Sequence, residues 1–233
     1  MDEFFSRSEA LLGAKAMEAL RTKKVIIFGV GGVGSWCAEA LVRTGLIHLT
    51  IVDGDVVQAS NVNRQLPATR ATIGMPKVEA LKERLLTINP DAEIVAINAM
   101  YKPNDKSFPL GEDLGEAPFD YIIDAIDSVN DKTDLIINAT RARVKIFSSM
   151  GAALRFDPTK VTTGELMDIK GDALAKAVRA RMKKLDVHPY KKVRCVYSSE
   201  QTQRCETRGS LMQVTAVFGC TLASMVIEDL QKK

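Results

Sequence analysis

Gly29-Val30-Gly31-Gly32-Val33-Gly34 spells G-x-G-x-x-G. At that spacing a backbone turn can approach a phosphate closely and point free N–H groups and a helix dipole at it. Gly29, Gly31, Gly32 and Gly34 are therefore candidate phosphate contacts. About twenty residues further on, Asp53 closes an apolar run, where a carboxylate can accept hydrogen bonds from ribose hydroxyls. NAD and ATP sites share both features. The residues beyond Asp53 separate them: Asp55, then Ser60-Asn61-Val62-Asn63-Arg64-Gln65, then Gly74-Met75-Pro76-Lys77. Hydride transfer has no use for two cations at the phosphates. Expelling pyrophosphate from ATP develops negative charge that Arg64 and Lys77 would stabilise. Asp127 adds a carboxylate suited to Mg²⁺, which takes one or two carboxylates together with substrate phosphates. Singly, Arg64, Lys77 and Asp127 each read as surface ion pairs; jointly, at strand ends, they read as a nucleotidyl-transfer site.

Such a site needs a frame, and the apolar pattern supplies one. Lys24 to Phe28, His48 to Val52 and Tyr121 to Ala125 are short continuous apolar runs, the mark of strands covered on both faces of a parallel sheet. Helical periodicity over Val33 to Thr44, ending at Gly45, completes a βαβ unit. A helix from Pro76, at its first position, to about Thr87 and a strand over Glu93 to Ile97 extend the alternation. A helix over Lys132 to Arg141 and a strand over Lys145 to Ser148 continue it. The expected fold is α/β, a Rossmann-like doubly wound, mostly parallel sheet, with ligands outside the carboxyl ends of its strands. Phe5 to Leu20 reads as one amphipathic leading helix capped by Ser6 or Ser8, and Lys102 to Pro118 as a surface excursion. Beyond Gly151 come β-like pieces at Val161 to Met167 and Val193 to Ser198, a basic helix over Asp172 to Leu185, and a last apolar helix. The chain reads as a single domain over 1–233, with a nucleotide-binding core at 5–156 and a smaller mixed extension at 157–233 for substrate and interface.

With 46% hydrophobic and 26% charged residues the sequence is that of an ordinary globular protein, and its formal charge of +3 is too small to prove an anionic partner. Cys37, Cys195, Cys205 and Cys220 form no C-x-x-C pair, and no signal peptide precedes them. This points to a reducing cytoplasmic compartment and to no structural zinc. Cys37 and Cys220 read as core. Cys195 and Cys205 read as residues of a polar loop, where a covalent role needs an exposed thiolate. Ser210 to Ile227 runs 18 residues without a charge. It is read as a helix buried on the sheet or at a subunit interface rather than an integral span, with peripheral membrane contact as the alternative.

These motifs together resemble the ThiF/MoeB/HesA superfamily of ubiquitin-activating-enzyme-like adenylyltransferases over residues 5–156. The resemblance implies that Asp53, Asn61, Arg64, Gln65, Lys77 and Asp127 hold ATP with Mg²⁺. It also implies that Arg7, in Ser6-Arg7-Ser8, is donated to ATP by a partner subunit of a homodimer. The opening Phe5 to Gly13, Asp124-Ala125-Ile126-Asp127-Ser128 and Val196-Tyr197-Ser198-Ser199-Glu200 look most like the branch that dehydrates threonylcarbamoyladenosine in tRNA. Membership there implies activation of the threonylcarbamoyl carboxylate by adenylation, then intramolecular ring closure. Arg204-Cys205-Glu206-Thr207-Arg208, ahead of Gly209-Ser210, departs from that branch in being more charged than the resemblance implies.

A tRNA partner should leave a basic trace, and Lys170 to Arg194 carries nine basic residues against Asp172 and Asp186. His188 and Tyr190 lie within it as candidate stacking groups. Three other readings stay open at this level. The chain could activate the C-terminus of a ubiquitin-like sulfur carrier, act as a non-catalytic nucleotide-sensing scaffold, or serve as an NAD-dependent dehydrogenase. A sulfur-relay protein partner is also left open.

Overall fold

The computed structural model describes residues 3–103, 119–202 and 209–232. Seven strands form one sheet: β1 (Lys24–Phe28), β2 (His48–Val52), β3 (Glu93–Ile97), β4 (Tyr121–Asp124), β5 (Lys145–Ser149), β6 (Val161–Glu165) and β7 (Arg194–Ser198). Their order is β3-β2-β1-β4-β5-β7-β6, and only the β6–β7 pair is antiparallel. The doubly wound, mostly parallel α/β fold is thus the observed one. The order reverses between β1 and β4, which pair in register from Val25↔Tyr121 to Phe28↔Asp124 and open a crevice beyond their carboxyl ends.

Side chains alternate across the sheet, so each strand feeds two cores. Val25, Ile27, Leu49, Ile51, Ile123 and Val196 pack on the face covered by α3 (Gly34–Thr44), α4 (Lys77–Ile88) and α7 (Met212–Gln231). Ile26, Phe28, Ile122, Ile146 and Cys195 pack on the face covered by α5 (Val129–Arg141) and α6 (Ala173–Lys184). The uncharged stretch is a core helix: α7 lies on α3 so closely that a Cβ on Gly219 would fall 2.5 Å from Val33 O and 2.7 Å from Trp36 Cβ.

Several boundaries differ from the sequence expectation. The leading segment is two helices, α1 (Ser6–Leu12) and α2 (Ala14–Arg21), broken at Gly13, whose φ of +83° leaves the helical region. Neither Ser6 nor Ser8 caps it; Phe5 holds that position, and Ser6 Oγ bonds Glu3 O instead. Pro76 is the N-cap of α4 and not its first residue. Helix α5 begins three residues earlier than periodicity suggests, because Ser128 Oγ accepts the Asp131 N–H as a cap. The stretch 104–118 of the expected excursion lies outside the described residues.

Candidate nucleotide-binding site

The glycine turn fills the gap between β1 and α3 and is shaped by what no side chain could occupy. Gly29 has φ +84°, and a Cβ there would lie 2.8 Å from Ala125 O, the residue just past β4. A Cβ on Gly34, the first residue of α3, would overlap Gly29 O. Gly31 and Gly32 instead keep close company with Gln65 Nε2, 3.6 Å from a Gly31 Cβ, and Arg64 Cγ, 3.4 Å from a Gly32 Cβ. The backbone is therefore bare toward the crevice at the N-terminus of α3, where amides and dipole favour an anion.

Asp53, just past β2, clamps this turn. Its Oδ2 accepts the Val30 N–H at 2.9 Å, and its Oδ1 accepts the Asp55 N–H at 2.9 Å. The segment after it doubles back on itself: Val57 N–H donates to Met75 O, Gly74 N–H to Val57 O and Lys77 N–H to Asp55 O. That closure brings Lys77, remote in sequence from the glycine turn, to Asp53. Lys77 is buried, with Nζ 2.6 Å from Asp55 Oδ2 and 3.9 Å from Asp53 Oδ1. A buried lysine between two carboxylates is a local cation already held in place.

The Ala59–Asn61 3-10 turn presents the rest of the set. Asn61 is buried and structural in this state: its Oδ1 accepts the Gln58 N–H, completing a capping box. Arg64 is fixed by its carbonyl, which accepts Trp36 Nε1–H at 3.1 Å. Its Nη1 folds back on Ser60 O and Asn63 Oδ1. Gln65 is 8% exposed and its Oε1 has no hydrogen-bond partner, an acceptor beside Gly31 that a bound ligand would satisfy.

Asp127 is exposed just before α5, at the carboxyl end of β4. Among the described residues no cluster of three His, Cys, Asp or Glu exists that could enclose a metal. A hard cation at Asp127 would therefore complete its shell from phosphate oxygens and water, which suits Mg²⁺. Arg7 is the outlier. It is exposed on α1, and the Glu3–Phe5 turn that precedes α1 packs Phe5 against Gly45, at the far end of α3 from the glycine turn. The 11 residues of α3 separate the two ends by roughly 16 Å.

Sequence reasoning missed two buried ionic groups at the same sheet edge. Lys132 and Asp124 are both fully buried and paired at 2.6 Å, and Ser148 Oγ donates to the same Asp124 oxygen. Lys132 also donates to Ser149 O at 2.9 Å. The available signal was a lysine on the apolar stripe Lys132, Leu135, Ile136, Ala139, which demands a buried counter-charge. Arg155, 2% exposed, faces Asp172 at 3.6 Å while its Nε and Nη1 lack partners.

The cysteine expectations need correction. Cys195 lies in β7 rather than in a polar loop; it is fully buried, and burial pushes its thiol far above the usual range, so it is not a nucleophile. Cys220 is exposed on α7 and not core, whereas Cys37 is core as expected. Cys205 and the 203–208 loop lie outside the described residues.

Comparison with known proteins agrees with this fold. The ThiF family model matches residues 5–233. The chain is 38% identical over 196 residues to the tRNA threonylcarbamoyladenosine dehydratase of Bacillus subtilis, covering 84% of this chain and 74% of the relative. It is 34% identical over 238 residues to that of Haemophilus influenzae, covering 94% and 89%. The fold superimposes with a TM-score of 0.90 on E. coli tRNA N6-threonylcarbamoyladenosine dehydratase solved in complex with ATP, at 32% identity over 98% of this chain and 94% of that one. With its glycine turn, acidic clamp and buried lysine at the topological switch point, and a family match running from residue 5 to residue 233, the chain belongs to the ThiF family.

Proposed function

We propose that this protein is an ATP-dependent dehydratase of N6-threonylcarbamoyladenosine in tRNA. The observation that carries the proposal is Lys77, buried and held by Asp53 and Asp55 at the mouth of a glycine turn, in a chain whose relatives bear that name over most of their length. ATP lies with its phosphates on Gly29, Gly31, Gly32 and Gly34 and its ribose at Asp53. Asp55, Asn61, Arg64, Gln65, Lys77 and Asp127 line the phosphate side. A carboxylate oxygen of the threonylcarbamoyl group attacks the α-phosphorus, and pyrophosphate leaves. Arg64 and Lys77 meet the charge that develops on it. A nucleophile within the same modified base then attacks the acyl carbon, and AMP departs with the carboxylate oxygen. The nucleoside thereby loses the elements of water. Ring closure is intramolecular and needs chiefly orientation and exclusion of water.

Mg²⁺ held by Asp127 and the phosphates would supply charge neutralisation. The turn that precedes the Arg7 helix packs at the end of α3 remote from the glycine turn, which supports a homodimer in which each subunit lends Arg7 to the other. A tRNA substrate and ATP suit a cytoplasmic protein.

The test is AMP and pyrophosphate release from ATP by purified protein, with and without tRNA bearing threonylcarbamoyladenosine, combined with mass analysis of the nucleoside. The expected result is release that depends on the modified tRNA and a product lighter by one water. Binding of ATP with no stimulation by modified tRNA would sink the proposal and direct the search to proteins with a free C-terminal carboxylate.

A further inference from the structure

Helix α6 starts at the nucleotide edge of the sheet, where Asp172 caps it and also accepts the N–H of Gly151, just past β5. Its 12 residues carry the chain roughly 18 Å to the opposite edge. There the loop after α6 is pinned to the end of α5: the Tyr190 N–H donates to Thr140 Oγ1 at 3.2 Å, and the Arg141 guanidinium lies 5.8 Å from the Tyr190 ring centroid. Tyr190 as a whole stays 63% exposed. A large aromatic side chain held in place yet left in solvent gives up burial that its area would otherwise provide.

Only part of the surrounding charge is spent on the protein itself. Several of the nine cations are committed: Arg181 to Asp134, Lys192 to Glu165, Arg194 to Glu228 and Arg179 to Leu166 O. Lys170, Lys176, Lys183, Lys184 and Lys191 are exposed and make no salt bridge to another described residue. Both helices end at this edge on a non-glycine residue in the left-handed region, Arg143 at φ +60° after α5 and Asp186 at +52° after α6. Val144 N–H reaches Ala139 O and Val187 N–H reaches Met182 O across these caps. Arginine at such a position costs energy that glycine would avoid. The helix dipoles account for cations in the last turn of α6, but not for Lys176 near its start, Lys191 in the loop, or the exposed ring.

We propose that this face is a second RNA-contacting surface, in which Tyr190 stacks on an unpaired base while Lys176, Lys183, Lys184, Lys191 and Arg143 contact the phosphates leading to it. The inference rests on the tRNA reading above. It adds a contact at the edge of the sheet opposite the adenylation site, with the 12 residues of α6, roughly 18 Å, running between the two edges, so that the tRNA is held at two points and the modified base is presented at one of them. Base stacking on an aromatic ring tolerates any sequence, and phosphate contacts give affinity that falls with salt.

The test uses the full chain, unmodified tRNA and no ATP, with affinity read by fluorescence anisotropy across a salt series. Y190A should weaken binding about tenfold, while Y190F, which keeps the ring, should stay within about twofold of wild type. The triple variant K183Q/K184Q/K191Q should lower the slope of log Kd against log salt by about two to three, with thermal stability and ATP affinity unchanged. In turnover with modified tRNA, both Y190A and the triple variant should raise KM for tRNA and leave kcat alone. Affinity within about twofold of wild type for Y190A or the triple variant overturns the proposal. A triple variant that loses binding to phosphatidylserine vesicles while keeping its tRNA affinity also overturns it, and assigns the face to a membrane. Binding does not require turnover: if wild-type protein binds tRNA through this face yet releases no AMP, the dehydratase reading fails and the surface stands.

Discussion

Lys77 Nζ lies 2.6 Å from Asp55 Oδ2, and the two side chains differ sharply in setting, 7% exposed for the lysine and 52% for the aspartate. The lysine is the fixed partner. A polyphosphate entering the crevice can displace the solvent-facing Asp55 without moving Lys77, which keeps Asp53 at 3.9 Å. Replacing Lys77 by Met should therefore lower AMP formation by about 10²- to 10³-fold, the scale seen when one charge-stabilising donor is lost from a transition state. D55N should cost less than about tenfold, since it removes a half-exposed ion pair. Pyrophosphate release with saturating ATP distinguishes these outcomes, and a K77M enzyme of near wild-type rate would remove Lys77 from the chemistry.

The turn that leads into the Arg7 helix packs at the end of α3 remote from the glycine turn, and the proposed donation of Arg7 between subunits has a direct genetic consequence. R7A and K77M homodimers should each be inactive in AMP release. Mixed and allowed to exchange subunits, they should recover about a quarter of wild-type activity, because half of the dimers are mixed and each of those has one intact site. An inactive mixture whose exchange is verified by mass would refute donation in trans.

The sheet was legible in the sequence because its strands are buried on both faces and read as unbroken apolar runs, and the glycine turn because its spacing is unusual. What escaped was decided by contacts distant in sequence. Asp124 closes an apolar run and Lys132 opens a helical stripe, and nothing local says that they pair. Cys195 has charged neighbours in sequence, yet its register opposite Ser148 and Gly164 buries it. The helical period runs straight across Gly13, where only φ reveals the break. The Arg64 guanidinium folds onto its own turn, a choice of rotamer that composition does not encode.

The Asp124–Lys132 pair lies beneath the β4–β5 edge that positions Asp127, so its stability bears on the site. Removing one partner leaves the other charged and dry, and K132M should destabilise the fold by about 3–5 kcal/mol. Asp124 would retain only the Ser148 hydroxyl and the Ile126 N–H. The double variant D124L/K132M, apolar on both sides, should recover much of that loss. Urea unfolding monitored by circular dichroism gives the comparison; a double variant no more stable than K132M would mean that the network does more than neutralise itself.

Glu39 links α3 to α4 through Arg84 at 2.6 Å and also holds Arg43 at 2.8 Å. Burial pushes its carboxyl up, but hydrogen bonds and charge from the two guanidinia outweigh this and hold it below the usual carboxylate range. A depressed folded pKa means that the protonated form is disfavoured in the fold. The contribution to stability is then present in full above the unfolded value of about 4.3, and it is lost as pH falls through the lower folded value. E39Q should thus be less stable than wild type at pH 7 by about 1–2 kcal/mol, a figure discounted because both arginines are largely solvated. The two proteins should converge as pH drops below about 4.3. Thermal midpoints measured from pH 7 down to pH 3 test this, and a gap that stays constant across the range would show that packing, not charge, is what Glu39 contributes.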